Sequence, residues 1–485
     1  MKSIMRKTTA LILAIGFALS MGGCGKKTTS SSVESTGVTF DFADESQTES
    51  TGSQSSGTQQ AENQQSGANK NNTTYGGAKA PDLSGSDPFT NVPKHLRGST
   101  VTFANFGDEG SAEMQKVFKY FTKKTGIKVN SVLYDEDTYY SVLAKHIAAG
   151  DSPDVVCYGG AFPSALNNLQ PLNDYIDPNE KFWKNTMVDV CTLNGKIYAL
   201  NSIESPWFEH ELLFYNKQIF QKNNIKSPRQ YFEEGKWTWE DVHKCMEAVS
   251  KTKDSTGKYN IGGYIHPSTL AAARGKPIVE YNTKTDLFSS NVRDSVVVDS
   301  FRYCSRLLTD KLWDKGLYFG SFNAGNVGIY VQTTYGTRYN GWFKDSTAFL
   351  GAVPLPSSFE GKKTTQVIYF RSYGIAKNAQ NPQGAMYFMR MMLDNRYYEE
   401  AKANVFINAE AKKAFYESLD IYQKDGGSFI FLGNSTNFCD PAIDDLEWRS
   451  YSNDPAQIET HLNSAANVLD AAIKKMNAAL DPYKK

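Results

Sequence analysis

Neighbouring carboxylates are the first groups in this 485-residue sequence that could do chemistry. Asp108/Glu109 and Asp135/Asp137 are acid pairs. Paired carboxyls cleave glycosides when they flank one bond, but among 52 acids such pairs also arise by chance. Six histidines are scattered (His95, His146, His210, His243, His266 and His461), and each reads more readily as a surface or core residue than as a ligand. There is no GxSxG, no GxxxxGK[ST] and no EF-hand loop, and His210-Glu211 lacks the second histidine of HExxH. These gaps weaken an enzymatic reading. The other feature is aromatic: 27 Tyr and 28 Phe raise the aromatic fraction to 13%. Rings at that density are either core or surfaces that stack on flat ligands.

Composition narrows the classes. The length suits two or three domains. Lys+Arg and Asp+Glu both number 52, which lacks the basic surplus that nucleic-acid binding needs. A mean hydropathy of −0.48 excludes a polytopic membrane protein. Six cysteines are too few for a disulfide scaffold, and none is spaced as CxxC. Past Cys24, the remaining Cys157, Cys191, Cys245, Cys304 and Cys439 leave an odd thiol and read mostly as buried apolar residues.

Lys2, Arg6 and Lys7 precede an apolar run from Ala10 to Met21. That run is too short to span a bilayer, which takes about 20 residues, but suits a signal-peptide core. Gly22-Gly23-Cys24 resembles a bacterial lipobox. The resemblance implies cleavage before Cys24 and lipid on its sulfur, with two or three acyl chains giving stable anchoring. Loss of residues 1–23 removes three cations and leaves a net charge of −3. From Gly25 to about Pro93 the chain is rich in Ser, Gly, Gln and Asn, which predicts a disordered tether reaching roughly 45–50 Å.

Beyond it, elements alternate. Ser99–Phe106 reads as a strand and Ser111 caps a helix with Met114, Val117, Phe118 and Phe121 on one face, ending at Gly126. A strand over 127–134, a helix over 139–149 and a strand over 154–158 follow. Such alternation predicts a parallel sheet with right-handed crossovers. Asn194-Gly195 predicts a hairpin turn, and Thr238, Asn381-Pro382 and Asp454-Pro455 predict helix starts. In such sheets ligands sit beyond the carboxyl ends of strands, where Asn105–Glu109, Tyr134–Asp137 and Tyr158–Phe162 fall.

The run VTFANFGDEGSAEMQKVFKYFTKKTGIKVNSVLY, then LAKHIAAGDSPDVVCYGG, LNGKIYALNSI, LLFYNKQIFQKNNI, TWEDVHKCMEAVSK, VGIYVQTTYG and YGIAKNAQNPQGAMYFMRMML, in that order, resembles the extracellular solute-binding proteins of ABC importers. Within that family the pattern is similar to the carbohydrate type that includes maltose-binding protein. The match runs over about residues 100–400.

The resemblance implies an α/β fold of two lobes, each a mainly parallel sheet flanked by helices, with the ligand in the cleft between them. It implies a signal peptide over 1–23 and a lipidated Cys24 with tether over 24–95. Lobe one is then 96–207 plus 364–408, and lobe two is 208–363 plus 409–485. Asp108 matches an acidic ligand-contacting position. Glu109 falls where the carbohydrate type has a contacting Lys, which reverses the charge. Tyr158 and Tyr335 match tryptophans that line the sugar cleft. Trp207 and Phe208 at the first crossing into lobe two, and Arg371 and Tyr373 near the return, complete the candidate set; Tyr339 and Trp342 are candidates for its rim.

The expected function is capture of a carbohydrate, an oligosaccharide above all, by a monomer that delivers it to permease and ATPase subunits on the outer face of a one-membrane bacterium. No metal, cofactor or nucleic acid is implied. Open alternatives are a receptor for polyamine, peptide or iron on the same fold, a secreted glycoside hydrolase, and a binding protein that reports to a membrane kinase. Glu109, Asp135, Glu136, Glu204 and Glu209 could supply a polyamine site.

Overall fold

Local signals form the elements. Ser111 caps the helix Ala112–Thr125 by accepting from Met114 N–H, and Met114, Val117, Phe118 and Phe121 are buried along one face. Gly126 ends it at φ 75°, a left-handed conformation that costs glycine no Cβ clash. Thr238 and Asp241 form a capping box on Trp239–Ser250, and Asn381 caps Pro382–Met392 by accepting from Gly384 N–H. Asn194 and Gly195, both at positive φ, turn the hairpin between Thr192–Leu193 and Lys196–Ile197.

The computed structural model describes residues 83, 87–106, 111–135, 138–159, 166–176, 182–183, 192–282, 284–314, 319–338, 341–356, 366–368, 371–425, 429–431, 443, 446–447 and 454–483. The signal peptide, Cys24, Asp108, Glu109, Tyr339, Cys191 and Cys439 lie outside the described residues; of Tyr158 and Arg371 only the backbone is described.

The fold is the expected two-lobe arrangement, with one four-stranded sheet per lobe among the described residues. In lobe one, Thr100–Asn105 runs parallel to Lys128–Leu133 and to Val155–Gly159. Arg371–Ile375 closes the edge antiparallel to Val155–Gly159, with Tyr373 opposite Cys157 and Ser372 opposite Tyr158. In lobe two, Val327–Thr333 pairs parallel with Ile261–Tyr264 and antiparallel with Glu211–Asn216, whose other side pairs antiparallel with Leu350–Pro354. The lobe-two sheet is therefore mixed rather than mainly parallel, because Glu211–Asn216 runs against both of its neighbours.

Each lobe has its own core. Val101, Phe103, Phe118, Phe121 and Phe388 fill one side of the lobe-one sheet, while Phe214, Trp239, Val249, Tyr330 and Val353 fill lobe two. A third cluster joins Ala104, Val156 and Ala376 to residues 278–301 and the C-terminal helix Ile458–Leu480. Asn477 fastens that helix by accepting from Phe288 N–H at 2.7 Å and donating to its carbonyl at 2.9 Å. Beyond it, the Tyr483 ring lies 5.8 Å from Tyr198 of lobe one.

Three boundaries differ from expectation. The tether does not extend to residue 95: Leu83, Phe89 and Val92 are buried in the lobe-one core, with Phe89 4.9 Å from the Tyr397 ring. The return comes later than 364, since Val367 packs in lobe two and Tyr373 in lobe one. The last crossing begins at Phe406, packed in lobe one, and Ile407, packed against lobe two, while the helix beyond gives Phe415 and Leu419 to the lobe-one core and Ala414 to lobe two. Cys157, Cys245 and Cys304 are buried, as their apolar settings suggested. Burial pushes the Cys245 thiol up to about 12 and the Cys304 thiol well above its ordinary value.

Candidate functional site

Parallel strands place their carboxyl ends together. In lobe one this brings Phe106, after the first strand, and Tyr134, after the second, to the Tyr139 ring at 4.8 and 6.0 Å. Tyr139 is buried and donates its hydroxyl to Ala104 carbonyl at 2.9 Å, while Phe106, Tyr134 and Tyr140 are half-buried. Behind them, buried Asn105 donates to Ser131 Oγ at 2.9 Å and Val132 carbonyl at 3.1 Å. Asn105 thus braces the sheet end rather than facing a ligand.

In lobe two, the strand Val327–Thr333 ends where Thr333 Oγ accepts from Tyr335 N–H and starts the single turn Thr334–Thr337. That turn is bonded to the first crossing: Thr334 N–H donates to His210 carbonyl at 2.7 Å, and its hydroxyl donates to Phe208 carbonyl at 3.1 Å. Tyr335 is half-buried and meets half-buried Trp342 edge to face, with centroids 4.9 Å apart. The Arg338 guanidinium lies 5.3 Å from the Tyr335 ring and 4.3 Å from the Trp207 ring. Its Nη1 is 3.1 Å from Glu209 Oε1, and its Nη2 donates to Trp207 carbonyl at 3.1 Å.

The candidate residues thus fall into groups. Tyr335 and Trp207 flank Arg338, and Trp342 packs against Tyr335. Trp207 is 3% exposed, so it supports this group from within. Phe208 is fully buried beside His210 and Tyr373 is buried in the lobe-one core against Phe103; in this conformation neither presents a ring face to a ligand. His210 sits between the Phe208 and Phe415 rings; burial, with the Arg338 charge, drops its pKa to about 3 and keeps it neutral. The sequence reading did not include Arg338. Its only trace was a cation within a Tyr-rich stretch, TYGTRYN.

Carboxylates also gather at this end of lobe two. Thr269 hydroxyl is 3.5 Å from buried Glu211, and Glu447 accepts from Ser268 N–H and lies 3.2 Å from His266 Nδ1. Burial opposes ionisation of Glu447, but the His266 and Ser268 contacts outweigh it and hold the acid below its ordinary value. A cavity of about 870 Å³ lies elsewhere in lobe two, lined by Tyr215, Lys217, Arg229, Gln230 and Glu410 among others. Two of its cations are paired, Lys217 with Glu410 at 2.9 Å and Arg229 with Glu417 at 2.7 Å, and it shares no lining residue with the Tyr335 group. Among the described residues there is no group of three His, Cys, Asp or Glu that could hold a metal ion, and no helix long and apolar enough to cross a membrane.

Residues 104–399 match the bacterial extracellular solute-binding protein family, and the chain belongs to that family. Its fold is similar to an extracellular solute-binding protein from Staphylococcus aureus in complex with maltose (16% identity, 78% of this chain and 98% of that one, TM-score 0.57). A cyclo/maltodextrin-binding protein complexed with maltotetraose covers the same shares at 18% identity and TM-score 0.59. An ABC substrate-binding protein from Listeria monocytogenes in complex with cycloalternan does so at 17% identity and TM-score 0.52.

Proposed function

We propose that this chain is the non-catalytic substrate-binding subunit of a carbohydrate ABC importer, anchored through lipid on Cys24 to the outer face of a bacterial membrane. It takes an oligosaccharide into the interlobe cleft as a monomer and passes it to a permease and its ATPase by hinge closure. The observation that carries this reading is the Tyr335–Trp342 pair, half-buried beside the first crossing between the lobes. Sugar C–H faces lie on such rings, and carboxylates and amides bond the hydroxyls. The structural neighbours support the class of ligand, since their bound sugars are maltose, maltotetraose and cycloalternan. Asp108, Glu109, Tyr158 and Arg371 belong to the proposed site as positions of the family pattern.

The test is thermal unfolding of the detergent-solubilised full chain with glucan and mannan oligosaccharides, spermidine, short peptides and ferric chelates. A ligand at about 100 times its Kd stabilises the native state by about 2.7 kcal/mol. A rise with one glycan family and no bond cleavage supports the reading. A rise only with spermidine, peptide or iron replaces the ligand, and cleavage replaces the receptor by a hydrolase.

A further inference from the structure

Building on the carbohydrate-receptor reading, we propose that Arg338 is a positioning residue: it fixes the Tyr335 ring for its ligand and ties that ring to the hinge. The argument begins with burial. Arg338 is 1% exposed, and a guanidinium taken out of water is costly unless it is paired and bonded. Glu209 supplies the countercharge at 3.1 Å, Trp207 supplies a carbonyl acceptor at 3.1 Å, and the Trp207 and Tyr335 rings lie 4.3 and 5.3 Å from the guanidinium carbon. One planar cation therefore holds a ring of the first crossing and a ring of the candidate ligand platform. A lysine ammonium, a compact point charge, cannot reproduce that double contact.

The backbone of the same residue reaches a second crossing. Arg338 forms a β-bridge with Phe406, and Ile407 N–H donates to Thr337 carbonyl at 2.7 Å. The side chain of Arg338 is thus anchored to residues 207–209 and its backbone to residues 406–407, three positions after Tyr335. A rotation of either crossing moves Arg338, and with it the support beneath Tyr335. Loss of the guanidinium would release the ring without removing any group that touches ligand.

The experiment is a double-mutant cycle in the full chain, with Arg338→Lys and Arg338→Gln made in the wild-type and Tyr335→Ala backgrounds. Two readouts are taken: near-ultraviolet circular dichroism without ligand, and calorimetric affinity for maltotetraose. Thermal midpoints select the Arg338 variant that remains folded. The expected result is a changed aromatic spectrum and at least a tenfold loss of maltotetraose affinity for Arg338→Lys, both absent when Tyr335 is already alanine. Equal affinity and spectrum to wild type, or losses that persist unchanged in the Tyr335→Ala background, overturn the proposal and leave Arg338 as packing alone. If the wild type binds no maltotetraose, the spectra decide: a change that depends on Tyr335 upholds the positioning role while the maltodextrin ligand fails, and its absence rejects the role.

Discussion

Phe406 and Ile407 are consecutive in the chain and belong to different cores: Phe406 is buried among lobe-one residues, Ile407 packs against lobe two. The chain steps between the cores here, although the helix beyond still gives Phe415 and Leu419 to the lobe-one core. Phe406 is held by Phe415 at 5.2 Å and Tyr416 at 5.9 Å, so its anchor is the long helix Ala409–Asp425 just beyond it.

Phe406→Ala removes that anchor. It is expected to cost about 3–5 kcal/mol of stability, read by denaturant unfolding. Small-angle scattering of the unliganded protein should also show a changed mean lobe separation, which a core truncation in the helix Trp239–Ser250 packed on Ile261–Tyr264, such as Met246→Ala, should leave alone.

Tyr335→Ala is expected to weaken the glycan identified in the unfolding screen by at least tenfold in calorimetry, about 1.4 kcal/mol or more. Tyr335→Phe keeps the ring and should stay within a few-fold of wild type. Equal loss for both would shift the weight from stacking to the hydroxyl.

Phe89→Ala tests where the folded part begins. Phe89 sits against Phe121, Tyr387 and Tyr397, so its truncation should cost about 3–5 kcal/mol. A chain starting at residue 97 should be less stable than one starting at residue 81. Equal denaturant midpoints for the two chains would return residues 83–96 to the tether.

Asp394 gives a pH dependence with a definite sign. It is 1% exposed, and burial alone would raise its pKa; the bonds from Arg396 and Arg390, each 2.7 Å, outweigh this and hold it below the usual carboxylate range. A carboxyl lowered in this way adds stability above its unfolded value, about 3.9, and loses it as pH falls through the folded value. Asp394→Asn should cost about 3–5 kcal/mol at neutral pH. Its deficit against wild type should shrink below about pH 4, read by urea midpoints across that range.

Cys245 and Cys304, buried with raised pKa values, should resist iodoacetamide at pH 8 in the folded protein and label once it unfolds. Peptide mass spectrometry separates them from the other thiols.

What could be read beforehand was what short-range patterns encode. The apolar spacing of Met114, Val117, Phe118 and Phe121, the caps at Ser111, Thr238 and Asn381, and the Asn194-Gly195 turn all act over a few residues. Phe89 was missed because its partners, Phe121, Tyr387 and Tyr397, are distant in sequence and its own neighbourhood is polar. Arg338 was missed for a related reason. A cation normally marks a surface, and only Glu209, Trp207 and Tyr335, converging in three dimensions, make its burial tolerable. The mixed lobe-two sheet was hidden because strand direction leaves no mark in strand composition.

The edge strand Arg371–Ile375 has a consequence for the order in which the chain can fold. It pairs with Val155–Gly159, more than 200 residues earlier, and Pro382–Met392 packs on the same sheet. During N-to-C synthesis, all four strands of the lobe-two sheet, the last of them Leu350–Pro354, are made before the lobe-one sheet receives its last strand and helix. The first-made strands can pair with one another, but the outer edge of Val155–Gly159 stays open until the ribosome has passed residue 375. Contacts so distant in sequence close slowly, so the lobe-one sheet should be the slower of the two to mature, and its open edge is a target for chaperones.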